Sequence, residues 1–241
     1  MDALTGRAAL VTGSSSGIGR AIALALAEAG AAVCLVGRDR FQLDDAVGAA
    51  RDHGDRAFGI AADLTREDEA AGLAASVGEA WGGVDVLVHC AGAYRRGPLE
   101  TAPLADLDAL YAANIRAPYH LTQLLLPALK ERRGDIVFVN STQGVQPSPN
   151  VGQFAATQHA LRAVAESLRG EVNEAGVRVL TIHLGRTATP RQAKVHAAEG
   201  RPYAPERLIQ PEDVAATVLA ALRLPRTAEI TSLSMRPMLK P

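Results

Sequence analysis

The chain predicts a single α/β domain built on a doubly wound parallel sheet of about seven strands, with helices on both faces. Three observations carry this. Short β-branched or apolar runs alternate with longer helical patterns along most of the length, the rhythm of a parallel sheet. The runs are nearly continuous instead of alternating apolar with polar, as strands require when helices cover both faces. No linker, low-complexity segment, internal repeat or charge run divides the 241 residues, so one domain over 1–241 is expected.

The elements follow in order. Ala8–Thr12 is the first strand and leads through a glycine-rich turn into a helix over Gly17–Glu28. Ala32–Gly37 is a second strand, followed by a helix over Phe41–Asp52, and Arg56–Ala61 a third, followed by Arg66–Trp81. Val84–His89 is the fourth strand, and one long helix is expected over Leu104–Glu131. Ile136–Asn140 and Val177–His183 are strands on either side of a helix over Val151–Glu174, and Pro211–Leu222 and Glu229–Met235 close the chain as helix and strand. Leu184–Gln210 has no clear regular pattern and contains Pro190, Pro202 and Pro205. Such a segment, leaving the carboxyl end of a strand, stands where open α/β sheets bind ligands, so 184–210 is expected to be a substrate-covering loop, with a disordered surface loop as the competing reading.

Whole-chain properties exclude several classes. The formal net charge of -1 provides no field to attract nucleic acid or an anionic membrane. No apolar run reaches spanning length, and the first residues lack a charged segment followed by a long apolar one. Cys34 and Cys90 are too few for a disulfide framework. A cytoplasmic protein with a small-molecule partner is expected, and no Cys, His or Asp spacing points to a metal.

Thr12-Gly13-Ser14-Ser15-Ser16-Gly17-Ile18-Gly19 sits between a strand and a helix. Gly13 permits a tight turn, Gly17 lets the backbone approach a pyrophosphate, and Gly19 allows close helix–strand packing. The helix start then offers unpaired N–H groups and a positive dipole end to phosphate. The second strand ends Gly37-Arg38-Asp39. An arginine there accommodates a 2′-phosphate where an acid would bind a ribose 2′-OH, so NADP(H) is favoured over NAD(H). Ser14 and Ser15 can add hydroxyl contacts, and the competing reading is a solvated Arg38 beside Asp39 with NAD accepted.

Two further stretches carry the chemistry. One is Asn140-Ser141-Thr142, and the other is Phe154-Ala155-Ala156-Thr157-Gln158-His159-Ala160-Leu161. Together with the glycine-rich turn they resemble the short-chain dehydrogenases/reductases, over nearly the whole length from Ala8 to Pro237. The resemblance implies a Rossmann-like fold and a serine, a tyrosine thirteen residues on and a lysine four beyond that. Ser141 occupies the serine position, but the tyrosine position is Phe154 and the lysine position Gln158. In the family the lysine lowers the phenol pKa and binds the nicotinamide ribose, the serine holds the substrate oxygen, and the tyrosine transfers the proton. Phe154 cannot donate a proton. Gln158 can bond a ribose hydroxyl but supplies no charge.

The same resemblance matches Asn114 to the family's proton-relay asparagine and Asp63, followed by Leu64, to an adenine-contacting aspartate. A cap before the next helix is the alternative for Asp63. Ala91 and Gly92 keep the close approach to the coenzyme, but His89 and Cys90 replace two asparagines that steady the fourth strand. His183-Leu184-Gly185-Arg186-Thr187 matches a Pro-Gly turn with leucine for proline, where Thr187 and Thr189 can bond the nicotinamide amide or cap the following segment. Tyr94, just past Ala91-Gly92-Ala93, is the best replacement donor. Tyr203 lies in the expected loop, Tyr111 and Tyr119 are read as core packing, and His159 as a surface or interface residue. Lysines to replace a lost cation are few: Lys130, Lys194 and Lys240.

Three functions are weighed. The first is an NADP(H)-dependent oxidoreductase of a small carbonyl or hydroxy compound with a non-standard site, catalytic through Ser141, Asn114 and Tyr94. The second is a non-redox cyclase, dehydratase or isomerase on the same scaffold. The third is a nucleotide-binding pseudoenzyme or regulatory subunit. The resemblance also implies a homodimer or homotetramer joined through the long helices.

Overall fold

The computed structural model describes residues 4–239, so Lys240 and the extremities of the expected 1–241 domain lie outside it. Strands β1 (Ala8–Thr12), β2 (Ala32–Gly37), β3 (Ala57–Ala61), β4 (Val86–His89), β5 (Asp135–Ser141), β6 (Arg178–Leu184) and β7 (Ser232–Met235) form one parallel sheet. Its order is β3-β2-β1-β4-β5-β6-β7. The winding reverses between β1 and β4, which opens a crevice beyond their carboxyl ends.

Helices α1 (Gly17–Glu28), α2 (Arg40–Arg51) and α8 (Pro211–Leu222) cover one face, packing on Val11, Leu35, Val88 and Val137. Helices α3 (Glu67–Trp81), α5 (Ala117–Glu131) and α6 (Gly152–Val172) cover the other, on Leu10, Val36, Leu87 and Phe138. Neighbouring strand residues thus enter opposite cores, as the pleat dictates. β1 and β2 are buried at every position, whereas the edge strands β3 and β7 are only partly covered. The continuous apolar reading therefore holds for the middle of the sheet and fails at its edges.

At the amino end of the sheet, away from the crevice, the side chain of Asp135 is 3% exposed. Arg7, Arg178 and Arg226 all reach it, at 2.6, 2.6 and 3.0 Å. Burying a carboxylate is tolerable only with such partners.

Two expectations need correction. The single helix over Leu104–Glu131 is instead α4 (Leu104–Tyr111), a π turn over Ala112–Arg116, and α5. Pro118 explains the break, since it cannot donate to the carbonyl of Asn114 four residues back and its ring crowds that oxygen. The segment 184–210 is not patternless: it carries helix α7 (Pro190–Ala198), a 3₁₀ turn over Pro205–Arg207 and a bridge between Thr187 and Ile209. The Thr189 hydroxyl accepts from the Gln192 N–H and Pro190 takes the first helical position, a helix start that its nine residues were too short to announce by periodicity. Among the described residues, no helix is long and apolar enough to cross a membrane.

Candidate active site

A cleft of about 610 Å³ opens at the crevice, lined from the ends of β1, β2, β4, β5 and β6. Gly13 forms its floor with φ +66°, and a Cβ there would come within 2.8 Å of the Ala91 backbone. A side chain at Gly19 would run into the Gly13 carbonyl. No side chain caps α1 and no acid stands in its first turn, so its leading N–H groups and positive dipole end face the cleft unneutralised. This cradle fits a pyrophosphate. Ile18 lines it, and Gly17 precedes Ile18 in the turn with φ +54°.

The neighbouring serines divide. Ser14 is fully buried, its hydroxyl donating to the Val11 carbonyl at 2.8 Å and accepting from the Val36 N–H at 2.8 Å. It joins β1 to β2 and is not open to a phosphate, which corrects its assignment as a coenzyme contact. Ser15 and the exposed Arg38 do line the cleft. Asp39 turns away to cap α2, accepting from the Gln42 N–H at 3.0 Å. Asp63 and Leu64 lie opposite. One Asp63 oxygen accepts from the Thr65 N–H and hydroxyl at 3.1 and 2.8 Å. Burial opposes ionisation of Asp63, but those bonds and the charges of Arg38 and Arg66 outweigh it and hold the carboxyl below its usual range.

At the end of β4, Thr12 and the His89 ring make the contacts that hold the strand. The Thr12 hydroxyl accepts from the N–H groups of Cys90 and Ala91 at 3.0 and 3.1 Å. His89 stacks on Phe138 with centroids 4.9 Å apart. Its Nε2 lies 2.8 Å from the Thr122 hydroxyl, whose hydrogen goes to the Pro118 carbonyl, so Nε2–H is the donor. Burial pushes His89 down to about 3 and keeps it neutral. Burial likewise pushes Cys90 up to about 12, against a weaker pull from Arg191, so it stays a thiol. Among the described residues no group of three or more His, Cys, Asp or Glu is placed to hold a metal.

Asn114 is buried in the π turn. Its Oδ1 accepts from the Ala93 N–H at 2.7 Å, and its two amide hydrogens go to the Ala93 carbonyl and the Thr157 hydroxyl at 3.1 and 3.0 Å. The side chain is a clamp between the loop after β4 and helix α6, with both of its hydrogens taken. A Cβ on Gly92 would meet Asn114 Oδ1 at 2.9 Å, so that glycine is required by the clamp.

Ser141, Phe154 and Gln158 all line the cleft. The Ser141 oxygen accepts from the Gln143 N–H at 3.1 Å, leaving its own hydrogen to donate. Asn140 fixes the helix beside it, donating to the Gln158 carbonyl at 3.0 Å. Tyr94 lies edge-on to Phe154, with ring centroids 4.9 Å apart. Leu184 extends β6 by one residue, pairing with Ser141 on one side and Met235 on the other. Gly185 and Thr187 follow in the cleft wall, the Thr187 hydroxyl donating to the Gly185 carbonyl at 3.2 Å. Tyr203 packs on His196. Tyr111 and Tyr119 are about half exposed, neither core nor cleft, because the wider π turn breaks the alignment of residues three and four apart.

The sequence reading missed a charged group beside Tyr94. Arg186 donates to both Glu199 oxygens, at 2.9 and 2.7 Å, and Arg96 lies 3.2 Å from the same carboxylate. Burial alone would lift Glu199, but the hydrogen bond from Arg186 and the charges of Arg186, Arg96 and Arg201 hold it low. Arg191 of α7 donates to the Gly92 carbonyl at 2.7 Å, so α7 sits across the cleft. The adjacent Arg95-Arg96 pair was the one visible hint; Glu199 had none.

The profile of the family described as short chain dehydrogenase matches residues 7–200. A short chain dehydrogenase of Pseudocercospora fijiensis is 37% identical over 186 residues, 76% of this chain, which spans only 60% of that protein's length. An uncharacterized short-chain type dehydrogenase/reductase of Sinorhizobium fredii is 36% identical over 234 residues, covering 95% of this chain and 90% of its own. The structure of L-sorbose reductase from Gluconobacter frateurii, complexed with NADPH and L-sorbose, superposes with a TM-score of 0.90 at 27% identity and covers both chains completely.

Proposed function

Since the chain belongs to the short-chain dehydrogenase family, we propose that it is an NADP(H)-dependent oxidoreductase of a small carbonyl or hydroxy compound whose proton donor is Tyr94. The observation that carries this reading is the Tyr94–Phe154 contact, which sets a phenol beside the position where the family keeps its own. When bound, NADPH supplies the hydride. The cradle at Gly13, Gly17 and Gly19 would hold its pyrophosphate, Arg38 and Ser15 its 2′-phosphate, and Gln158 a ribose hydroxyl. Ser141 donates its free hydrogen to the substrate oxygen and orients it. Tyr94 gives its proton to that oxygen as the alcohol forms, and the resulting phenolate is stabilised by Arg96 and Arg186 before water returns the proton. Helix α7 and its flanking residues cover the substrate and exclude water.

A second reading, nucleotide binding without redox turnover, is favoured by one observation: Gln158 brings a neutral carboxamide to the lysine position. Such a protein would be a cyclase, dehydratase or isomerase, or a regulatory subunit. The deciding experiment titrates NADPH and NADH, then follows NADPH oxidation over a panel of carbonyl compounds for the wild type, Tyr94→Phe, and Phe154→Tyr with Gln158→Lys. Turnover that depends on Tyr94 is the expected result. Tight coenzyme binding with no turnover until the double change would establish the second reading.

Leu104, Leu107 and Tyr111 of α4 and Tyr119 and Leu124 of α5 are exposed, which supports self-association through these helices. Two free cysteines suit a cytoplasmic setting.

A further inference from the structure

Beside Tyr94 the cleft adjoins an open hollow of about 640 Å³. Arg96, Arg186 and Glu199 line both spaces and join them. The loops that carry these residues follow β4 and β6, whereas Arg38 follows β2 on the other half of the sheet. The hollow is therefore distinct from the place proposed for the 2′-phosphate.

Its charge is unbalanced. Glu199 is the one acid among the lining residues, against Arg96, Arg186 and Arg201. Arg186 and Arg96 both direct their charge at that single carboxylate, so a positive charge is left over before Arg201, 3.7 Å away at the rim, is counted. Arg191, in the wall of the adjoining cleft, bonds a neutral carbonyl and offsets nothing. The Arg96 and Arg186 side chains are 30% and 26% exposed, shielded enough to act strongly and open enough to be reached. Guanidinium groups so placed match a carboxylate's two oxygens.

From this arrangement we infer that the substrate is a carboxylate-bearing carbonyl compound, a keto acid, or the matching hydroxy acid. Its carboxylate docks on Arg96 and Arg186, exchanging with or adding to Glu199, and its reacting oxygen faces Tyr94 and Ser141. The position of the reacting oxygen rests on the proposed oxidoreductase reading; the anion site does not.

The test is calorimetric titration of the full chain, with and without NADP⁺, which cannot reduce the probe. The probes are pyruvate, acetoacetate and levulinate, each against its methyl ester. At least one acid is expected to bind tenfold or more tighter than its ester. Arg96→Gln and Arg186→Gln should each reduce that preference about tenfold, and Glu199→Gln, which removes the competing carboxylate, should tighten the acid at least threefold. Should Arg186→Gln fail to fold, the other two variants carry the test. Esters that bind as well as acids, no acid that binds, or a preference unchanged in Arg96→Gln would overturn the inference. Acids that bind with the expected preference but are not reduced when NADPH replaces NADP⁺ would leave the anion site standing and remove the redox reading.

Discussion

The ring of Tyr94 meets the ring of Phe154 edge-on, centroids 4.9 Å apart and planes inclined by 69°. In the proposed reading Phe154 keeps a ring at the helix and Tyr94 brings the hydroxyl, from the loop after β4. Edge-to-face contacts contribute about 0.5–1.5 kcal/mol beyond their buried area, which steadies the loop ring.

Tyr94→Phe removes the proposed donor while keeping the ring contact. Turnover of NADPH with a carbonyl substrate should fall about 10²-fold or more. Adding Phe154→Tyr and Gln158→Lys to that variant should restore it. Burial is the largest influence on the Tyr94 phenol and Glu199 acts the same way, so it stays above its ordinary value of 10 despite Arg96 and Arg186. The protonated form is the donor. A kcat–pH profile in the reductive direction should therefore hold through neutral pH and decline only as pH climbs past the ordinary phenol range. In Arg96→Gln, which loses an opposing pull, the decline should move higher still.

Asp39 caps α2 and leaves Arg38, at the end of β2, facing the cleft. Arg38→Ala should weaken NADPH by about 10–100-fold, the worth of a charge-assisted hydrogen bond. NADH affinity should change little. Fluorescence titration of both coenzymes measures the split.

His89 is neutral in the fold, pushed down to about 3, and regains an ordinary value of 6.5 on unfolding. A depressed pKa means that the unfolded chain takes up the proton first, so stability is complete above 6.5 and drains away as pH falls towards 3. By pH 5 the loss from this residue should be about 2 kcal/mol. Urea denaturation at pH 7 and 5 measures it, and His89→Asn should flatten the difference.

Asp135→Ala strands Arg7 and Arg178, whose side chains are 17% and 11% exposed. The expected cost is about 3–5 kcal/mol in denaturant unfolding. Because the cluster lies at the far end of the sheet, coenzyme affinity of the folded fraction should be retained.

The strand–helix alternation, the glycine turn, and the Ser141, Phe154 and Gln158 positions were all readable from the chain. Each is a local pattern, in which spacing along one loop or one helix already dictates which way side chains point. Local pattern failed where a residue's partners come from elsewhere. Ser14 has the same chemistry as Ser15, yet strand pairing buries its hydroxyl between Val11 and Val36. Asn114 gives no local sign of its clamp, in which the loop after β4 and Thr157 of α6 take both its side-chain hydrogens. Arg96, Arg186 and Glu199 have no common spacing at all. The order of β4, β5 and β6 and the lie of α7 bring them together beside Tyr94. Backbone propensity and periodicity reach only a few residues, so they specify elements and the side chains within them. Which charges meet, and which hydroxyls remain open to a ligand, is settled by strand order and packing between distant segments.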